Sequence, residues 1–285
     1  MNTFKLNNGY EIPVIGLGTF LAPKEECYNA CLWALKAGYR QIDTAQNYKN
    51  EEAVGKALKA SGVKREDVFI TSKLQISRYG KNNTKKAVLK SINDLGVDYI
   101  DLYLMHWPSQ SYEMNLETYH ALEEMVNEGY IRSIGVSNFQ IHHLEHLLHY
   151  VRIKPVMNQI ELHPGLSQNG VLKYCKDNDI LVTSYGPFMK GEALKMPLIN
   201  ELASKYHKTP AQICVRYLID RGIVAIPKSV HESRIKENFD VFDFALTEDD
   251  VNQIINLNQG RRIYLDPDNR PGVPLVEAKE FPMEF

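Results

Sequence analysis

Short apolar runs alternate with amphipathic stretches along nearly the whole chain. The runs VIGLG (14–18), RQID (40–43), VFITSK (68–73), YIDLYLMH (99–106), IRSIGVS (131–137), PVMNQIE (155–161), ILVTSYG (180–186) and IVAIPKS (223–229) read as eight strands. Between them the period lengthens to that of a helix. In KEECYNACLWALKAGY, the residues Cys27, Ala30, Cys31, Ala34 and Leu35 fall on one face. TKKAVLKSINDLG aligns Val88, Ile92 and Leu95 and stops at Gly96, a C-cap signal, and NLETYHALEEMVNEG stops at Gly129 in the same way. Asn50 with Glu51 and Glu52 reads as a helix start, a capping side chain followed by acids at the positive end of the dipole.

Strands and helices alternating at this spacing predict parallel βα units. Eight units favour a closed (β/α)8 TIM barrel, which needs about 250 residues; a doubly wound open sheet is the structural alternative. Before the first unit, FKLNNGYEIP predicts a β-hairpin turning at Asn8-Gly9. After the last, a tail with Pro267, Pro271, Pro274 and Pro282 predicts an extended C-terminal loop over the active site. With no Pro/Ser-rich linker or low-complexity tract, residues 1–285 are expected to form one domain.

Composition narrows the class. The hydrophobic share of 44% supports a large core, and the net charge of −2 argues against a nucleic-acid partner. No secretory leader follows Met1, and no stretch approaches the roughly 18 apolar residues of a membrane span. Cys27, Cys31, Cys175 and Cys214 form no C-x-x-C pair and read as buried thiols. These features predict a cytoplasmic protein, and the ordinary amphipathic faces of its outer helices predict a monomer.

In a barrel, strand C-termini share one rim. That rim would collect Asp43 with Tyr48 in the following loop, Lys73, His106 and Trp107, Ser137 and Asn138, Gln159 and Glu161, Tyr185, and Lys228 with Ser229. A buried Lys73 needs a counter-charge, which Asp43 on the adjacent strand can supply. The resulting ammonium would lower the pKa of Tyr48 and prepare it to protonate a developing alkoxide, with His106 orienting the carbonyl oxygen. Hydride has to come from a cofactor. The GLGTFL segment lacks the third glycine of a dinucleotide fingerprint, since Leu21 stands there. IPKSVHESRIKEN instead offers a phosphate site, with Lys228 and Ser229 at a strand end, a short helix after them, and Arg234 as a fork.

The segments GLGTF, IDTAQNYKNEEAVGKAL, FITSKL, DLYLMHWP, IGVSNF, NQIELHP, SYGPF and IPKSVHESRIKEN, in this order, resemble the aldo-keto reductase family from about Gly9 to Asn269. The similarity is to the bacterial carbonyl-reductase type, near the 2,5-diketo-gluconate reductases. It implies an NADPH-dependent oxidoreductase that reduces aldehydes or ketones on a (β/α)8 barrel without a Rossmann fold. It also implies a catalytic tetrad of Asp43, Tyr48, Lys73 and His106, with Tyr48 as proton donor. Ser137, Asn138 and Gln159 match residues that hold the nicotinamide amide, and Tyr185 matches the residue that stacks on its ring. Lys228, Ser229 and Arg234 match ligands of the 2′-phosphate, Glu237 and Asn238 match adenine contacts, and Phe20, Asn47 and Trp107 match pocket walls. The chain departs from the family pattern at Gly186 and Phe188, at Gln75, at Phe20 in place of a common tryptophan, and in the short MKGEALKM loop.

Other readings compete. IHHLEHLLHY places His142, His146 and His149 on one helical face, but it lacks the His-Glu-x-x-His order and a carboxylate from another strand. No metal is expected there. A Schiff-base lyase using Lys73 is opposed by its pairing with Asp43. A nucleotide-sensing binding or regulatory subunit has no need of Tyr48 and His106 together. The substrate is a small-molecule carbonyl, and small aldehydes, 2-oxoaldehydes, keto sugars and prostaglandin-like ketones all stay open. Phe20, Trp107 and Tyr112 suggest an apolar pocket, whereas Arg261 and Arg262 suggest an anionic substrate.

Overall fold

The computed structural model describes residues 2–269. A hairpin of β1 (Thr3–Lys5) and β2 (Glu11–Pro13) precedes eight strands: β3 (Leu17–Gly18), β4 (Gln41–Asp43), β5 (Phe69–Leu74), β6 (Ile100–Met105), β7 (Ile131–Ser137), β8 (Met157–Glu161), β9 (Leu181–Tyr185) and β10 (Val224–Ala225). These run parallel in the order β3 to β10. The sheet closes where parallel bridges Ile15–Ala225 and Gly18–Lys228 join its two ends. The predicted barrel is therefore present, and the open-sheet alternative fails at that seam.

The helices are α1 (Lys24–Ala37), α2 (Glu51–Ser61), α3 (Lys81–Leu95), α4 (Tyr112–Asn127), α5 (Ile141–Tyr150), α6 (Asn169–Asp177), α7 (Pro197–Tyr206), α8 (Pro210–Asp220), α9 (Glu232–Phe239) and α10 (Glu248–Ile255). Helix α1 buries the five residues its periodicity selects, Cys27, Ala30, Cys31, Ala34 and Leu35. Gly96 closes α3 in the left-handed region at φ 63°, where a Cβ would be strained. All four cysteines are buried and unpaired. Among the described residues, no helix is long and apolar enough to cross a membrane.

Two apolar clusters divide the work. The larger lies between sheet and helices. The smaller packs Leu6 and Ile12 of the hairpin segment with Phe69, Leu102, Met157 and Val224 of the strands. The hairpin therefore stoppers the barrel away from the rim that carries the polar strand ends.

Two local readings need correction, and a third lies mostly outside the described residues. Strand β10 is only two residues long, because Pro227 has no N–H to extend a ladder; its carbonyl still accepts from Gly18 N at 3.1 Å. Asn50 makes no side-chain cap on α2. Its amide donates to the carbonyls of Thr19 and Ala22 and its Oδ1 accepts from Thr44, so it ties the first two barrel loops together. Of the tail prolines, Pro267 is described, while Pro271, Pro274 and Pro282 lie outside the described residues.

Candidate active site

Tyr48 ends a 3-10 turn, Gln46–Tyr48, that β4 delivers to the rim; Lys49 then takes a left-handed conformation to enter α2. Lys73 lies one strand away and is fully buried. Its Nζ donates to Asp43 Oδ1 at 2.5 Å, to the Thr44 carbonyl at 2.9 Å and to the Tyr48 hydroxyl at 3.4 Å. An ammonium has three donors, and all three are engaged. His106, buried just beyond β6, meets Tyr48 edge-on with centroids 5.6 Å apart. All four expected catalytic residues lie together on this rim.

The expected direction of the Tyr48 shift does not hold in this structure. Loss of solvent around the hydroxyl, followed by the charge of Asp43, pushes the Tyr48 pKa well above 10, so the phenol is held protonated. Burial also lowers Lys73 from its ordinary value, while Asp43 opposes that by charge and hydrogen bond.

Asp43 has a second partner that sequence reading missed. Its Oδ2 accepts from Gln159 Nε2 at 2.7 Å, across the barrel from β8 to β4. Asn138, at φ 66°, donates through Nδ2 to the His106 carbonyl (3.0 Å) and to Ser137 Oγ (3.1 Å), and its Oδ1 accepts from the Tyr185 hydroxyl at 2.7 Å. Ser137 Oγ in turn donates to the Gln159 carbonyl at 2.9 Å. The four expected nicotinamide contacts thus form one connected amide and hydroxyl wall.

At the other end of the site, Ser229 is buried and its Oγ accepts from His231 N at 3.1 Å, shaping the entry to α9. Lys228 and Arg234 are exposed, and neither forms an ion pair among the described residues. Two uncompensated cations at a helix N-terminus suit a phosphate dianion. Glu237 accepts from Thr209 Oγ1 at 2.7 Å, and Asn238 beside it is buried.

Phe20 packs on Tyr48 with centroids 5.0 Å apart. Asn47 Oδ1 is buried without a hydrogen-bond partner among the described residues, and the Trp107 carbonyl accepts from Tyr79 at 2.6 Å. Tyr112 leaves the pocket and stacks on His146 at 4.4 Å. Arg261 pairs with Glu192 at 2.7 Å, and Arg262 lies 3.9 Å from Glu161, so neither presents a free charge to an anion. The carboxylate that the histidine-rich helix lacks in sequence is supplied by Asp268: the ligand atoms of His142, His143 and Asp268 lie within 4.8 Å of one another. His142 and Asp268 are about half exposed, and His143 uses Nδ1 to accept from Gln140 N.

Residues 14–259 match the aldo/keto reductase family model. The chain belongs to this family, and the protein is an oxidoreductase. It is 45% identical over 268 residues to a glyoxal reductase of Bacillus subtilis, covering 94% of this chain and 96% of that one. It is 47% identical over 270 residues to the methylglyoxal reductase DkgA of Escherichia coli K12, covering 94% and 98%. A Bombyx mori aldo-keto reductase solved in complex with NADP superposes with a TM-score of 0.88 at 37% identity, covering 94% and 96%.

Proposed function

We propose that the protein reduces small aldehydes, 2-oxoaldehydes foremost, to alcohols with NADPH. The observation that carries this is the buried chain Asp43–Lys73–Tyr48 ending at the rim beside His106. NADPH supplies hydride when bound. The residues present suit it: Lys228, Ser229 and Arg234 would hold the 2′-phosphate, Glu237 and Asn238 the adenine, Ser137, Asn138 and Gln159 the carboxamide, and Tyr185 the ring.

The chain's own part is proton management. His106 orients the carbonyl oxygen. Tyr48 is protonated at neutral pH and within reach of that oxygen as it gains alkoxide character, so its O–H bond breaks toward it. The phenolate left behind faces the Lys73 ammonium, whose charge Asp43 maintains. Phe20, Asn47 and Trp107 wall the pocket. Relatives named for glyoxal and methylglyoxal support a small dicarbonyl as substrate.

A Schiff base on Lys73 needs a free amine lone pair, and the three engaged donors argue for an ammonium. The reading has the enzyme working as a cytoplasmic monomer on a small molecule, without nucleic acid or membrane.

The test follows NADPH oxidation by absorbance across glyoxal, methylglyoxal, keto sugars and larger ketones. Tyr48→Phe should lower kcat by roughly 10²–10⁴-fold with NADPH affinity retained. Full activity in that variant overturns the assignment.

A further inference from the structure

Glu161 ends β8 with no exposed side-chain surface, and the proton relay makes no use of it. A buried carboxylate is strongly disfavoured unless donors satisfy it. Here the donors come from a segment a hundred residues away. Glu161 Oε1 accepts from Ile263 N at 2.5 Å, and Tyr264 N lies 3.4 Å from both carboxylate oxygens. His163 Nε2 lies 3.0 Å from Glu161 Oε1, to which it donates in the Nε2–H tautomer, and its buried Nδ1 has no hydrogen-bond partner among the described residues. Arg262 brings a positive charge to 3.9 Å.

The same segment is held on both flanks. The Gly165 carbonyl accepts from Gln259 N and Arg261 N at 3.1 and 3.2 Å. Arg261 pairs with Glu192, and Lys190 Nζ sits 5.2 Å over the Tyr264 ring. Pinned in this way, Tyr264 stands edge-to-face with Tyr185 at 5.3 Å and with Phe20 at 6.4 Å. A Cβ on Gly186 would come within 2.7 Å of its ring, so the aromatic also explains the glycine after Tyr185. Ring contacts run from Tyr48 to Phe20, from Phe20 to Tyr264 and from Tyr264 to Tyr185, so Tyr264 bridges an expected pocket wall and the expected ring-stacking residue.

We propose that Glu161 is a positioning residue that straps residues 259–264 across the rim, and that Tyr264, held by this strap, restricts the site to small carbonyl substrates. The inference rests on the carbonyl-reductase reading and adds to it the residue that sets substrate size. The strap acts through backbone amides, so it fixes position 264 whatever side chain stands there. The ring itself does the excluding. The Glu161 carboxylate makes no hydrogen bond to the relay or to Lys228, Ser229 and Arg234, although Glu161 lies in register with Tyr185 on the neighbouring strand.

The experiment compares kcat/KM for methylglyoxal and for 2-naphthaldehyde in wild type, Glu161→Gln and Tyr264→Ala. Glutamine keeps the volume but turns one acceptor into a donor facing amide N–H groups. Both variants should lower the methylglyoxal-to-naphthaldehyde ratio by about tenfold, the scale of one wall contact in an apolar pocket. The change should lie in KM rather than kcat, a split that loss of stability alone does not produce. Trypsin cleavage after Arg261 and Arg262 should quicken about tenfold in Glu161→Gln. Wild-type ratios in Tyr264→Ala, which alters a half-buried rim residue and leaves the core intact, overturn the selectivity claim. Unchanged cleavage in Glu161→Gln overturns the strap. Absence of wild-type turnover on any carbonyl defeats the underlying reading instead, and the cleavage comparison still decides the strap.

Discussion

Lys73 and Tyr48 are costly residues to hold side by side. Burial lowers the Lys73 pKa and raises that of Tyr48, and Asp43, 2.5 Å from the Lys73 Nζ, opposes the first shift and adds to the second. A loaded donor next to a fixed cation is what a carbonyl reductase needs before substrate arrives. Another buried group, His143, makes stability depend on pH. Burial, and then His142 beside it, hold its pKa down at about 4 against an ordinary 6.5. The unfolded chain therefore binds a proton near pH 6.5 that the folded chain refuses until about pH 4. The stability associated with neutral His143 is full above 6.5, falls through that window and levels off below it. Tyr112 packs against the His143 ring, and Asp268, the acid of the nearby cluster, does not prevent the downward shift. Thermal unfolding followed from pH 7.5 to 4 should show the decline in wild type and a flatter profile in His143→Gln. Parallel profiles would refute the assignment to this residue.

Helices α2 and α3 approach so closely that one glycine is required between them. A Cβ on Gly55 would lie 2.0 Å from the Leu95 carbonyl oxygen, backbone that cannot rotate away, at the turn where Gly96 caps α3. Gly55→Ala would normally favour a helix. Here it should destabilise by about 1–3 kcal/mol, an overpacking penalty, read as a lower urea midpoint at constant m-value. An unchanged or higher midpoint would mean the helices separate at no cost. The local signals in this region were readable only in part. The glycine cap of α3 is visible in TKKAVLKSINDLG, because a helix end is decided within one turn. Asn50 before Glu51 also looks like a cap, yet its Oδ1, the atom that would cap, accepts from Thr44 Oγ1 while its amide donates to the Thr19 and Ala22 carbonyls. A capping propensity of about 1 kcal/mol yields when buried groups of other loops engage both ends of the side chain.

The proposed nucleotide contacts run from Tyr185 on β9 to Arg234 on α9. Lys228 and Arg234 are expected to read the 2′-phosphate that distinguishes NADPH from NADH. NADPH at a hundred times its Kd should stabilise the wild type by about 2.7 kcal/mol through mass action. In Lys228→Ala/Arg234→Ala that stabilisation should drop to the level NADH provides, and the preference in kcat/KM should approach unity. A preserved preference removes these residues from the 2′-phosphate. The closed barrel fixes where these proposed contacts stand: the bridge between Gly18 and Lys228 joins the first barrel strand to the segment that leads into α9.

The sequence by itself determined the eight strand positions, the faces the helices bury and the list of polar residues at the rim. All three follow from periodicity and from where apolar runs stop, which are local properties. It also carried enough ordered motifs to mark the family. Only the tertiary structure decided which rim residues touch. The Gln159–Asp43 bond spans the barrel, Asp268 meets the histidines of α5, and Glu161 gathers amides from residues 263 and 264. It also reversed the expected shift of Tyr48, because burial depends on everything packed around the hydroxyl. Contacts between segments a hundred residues apart leave no period in the chain that could announce them.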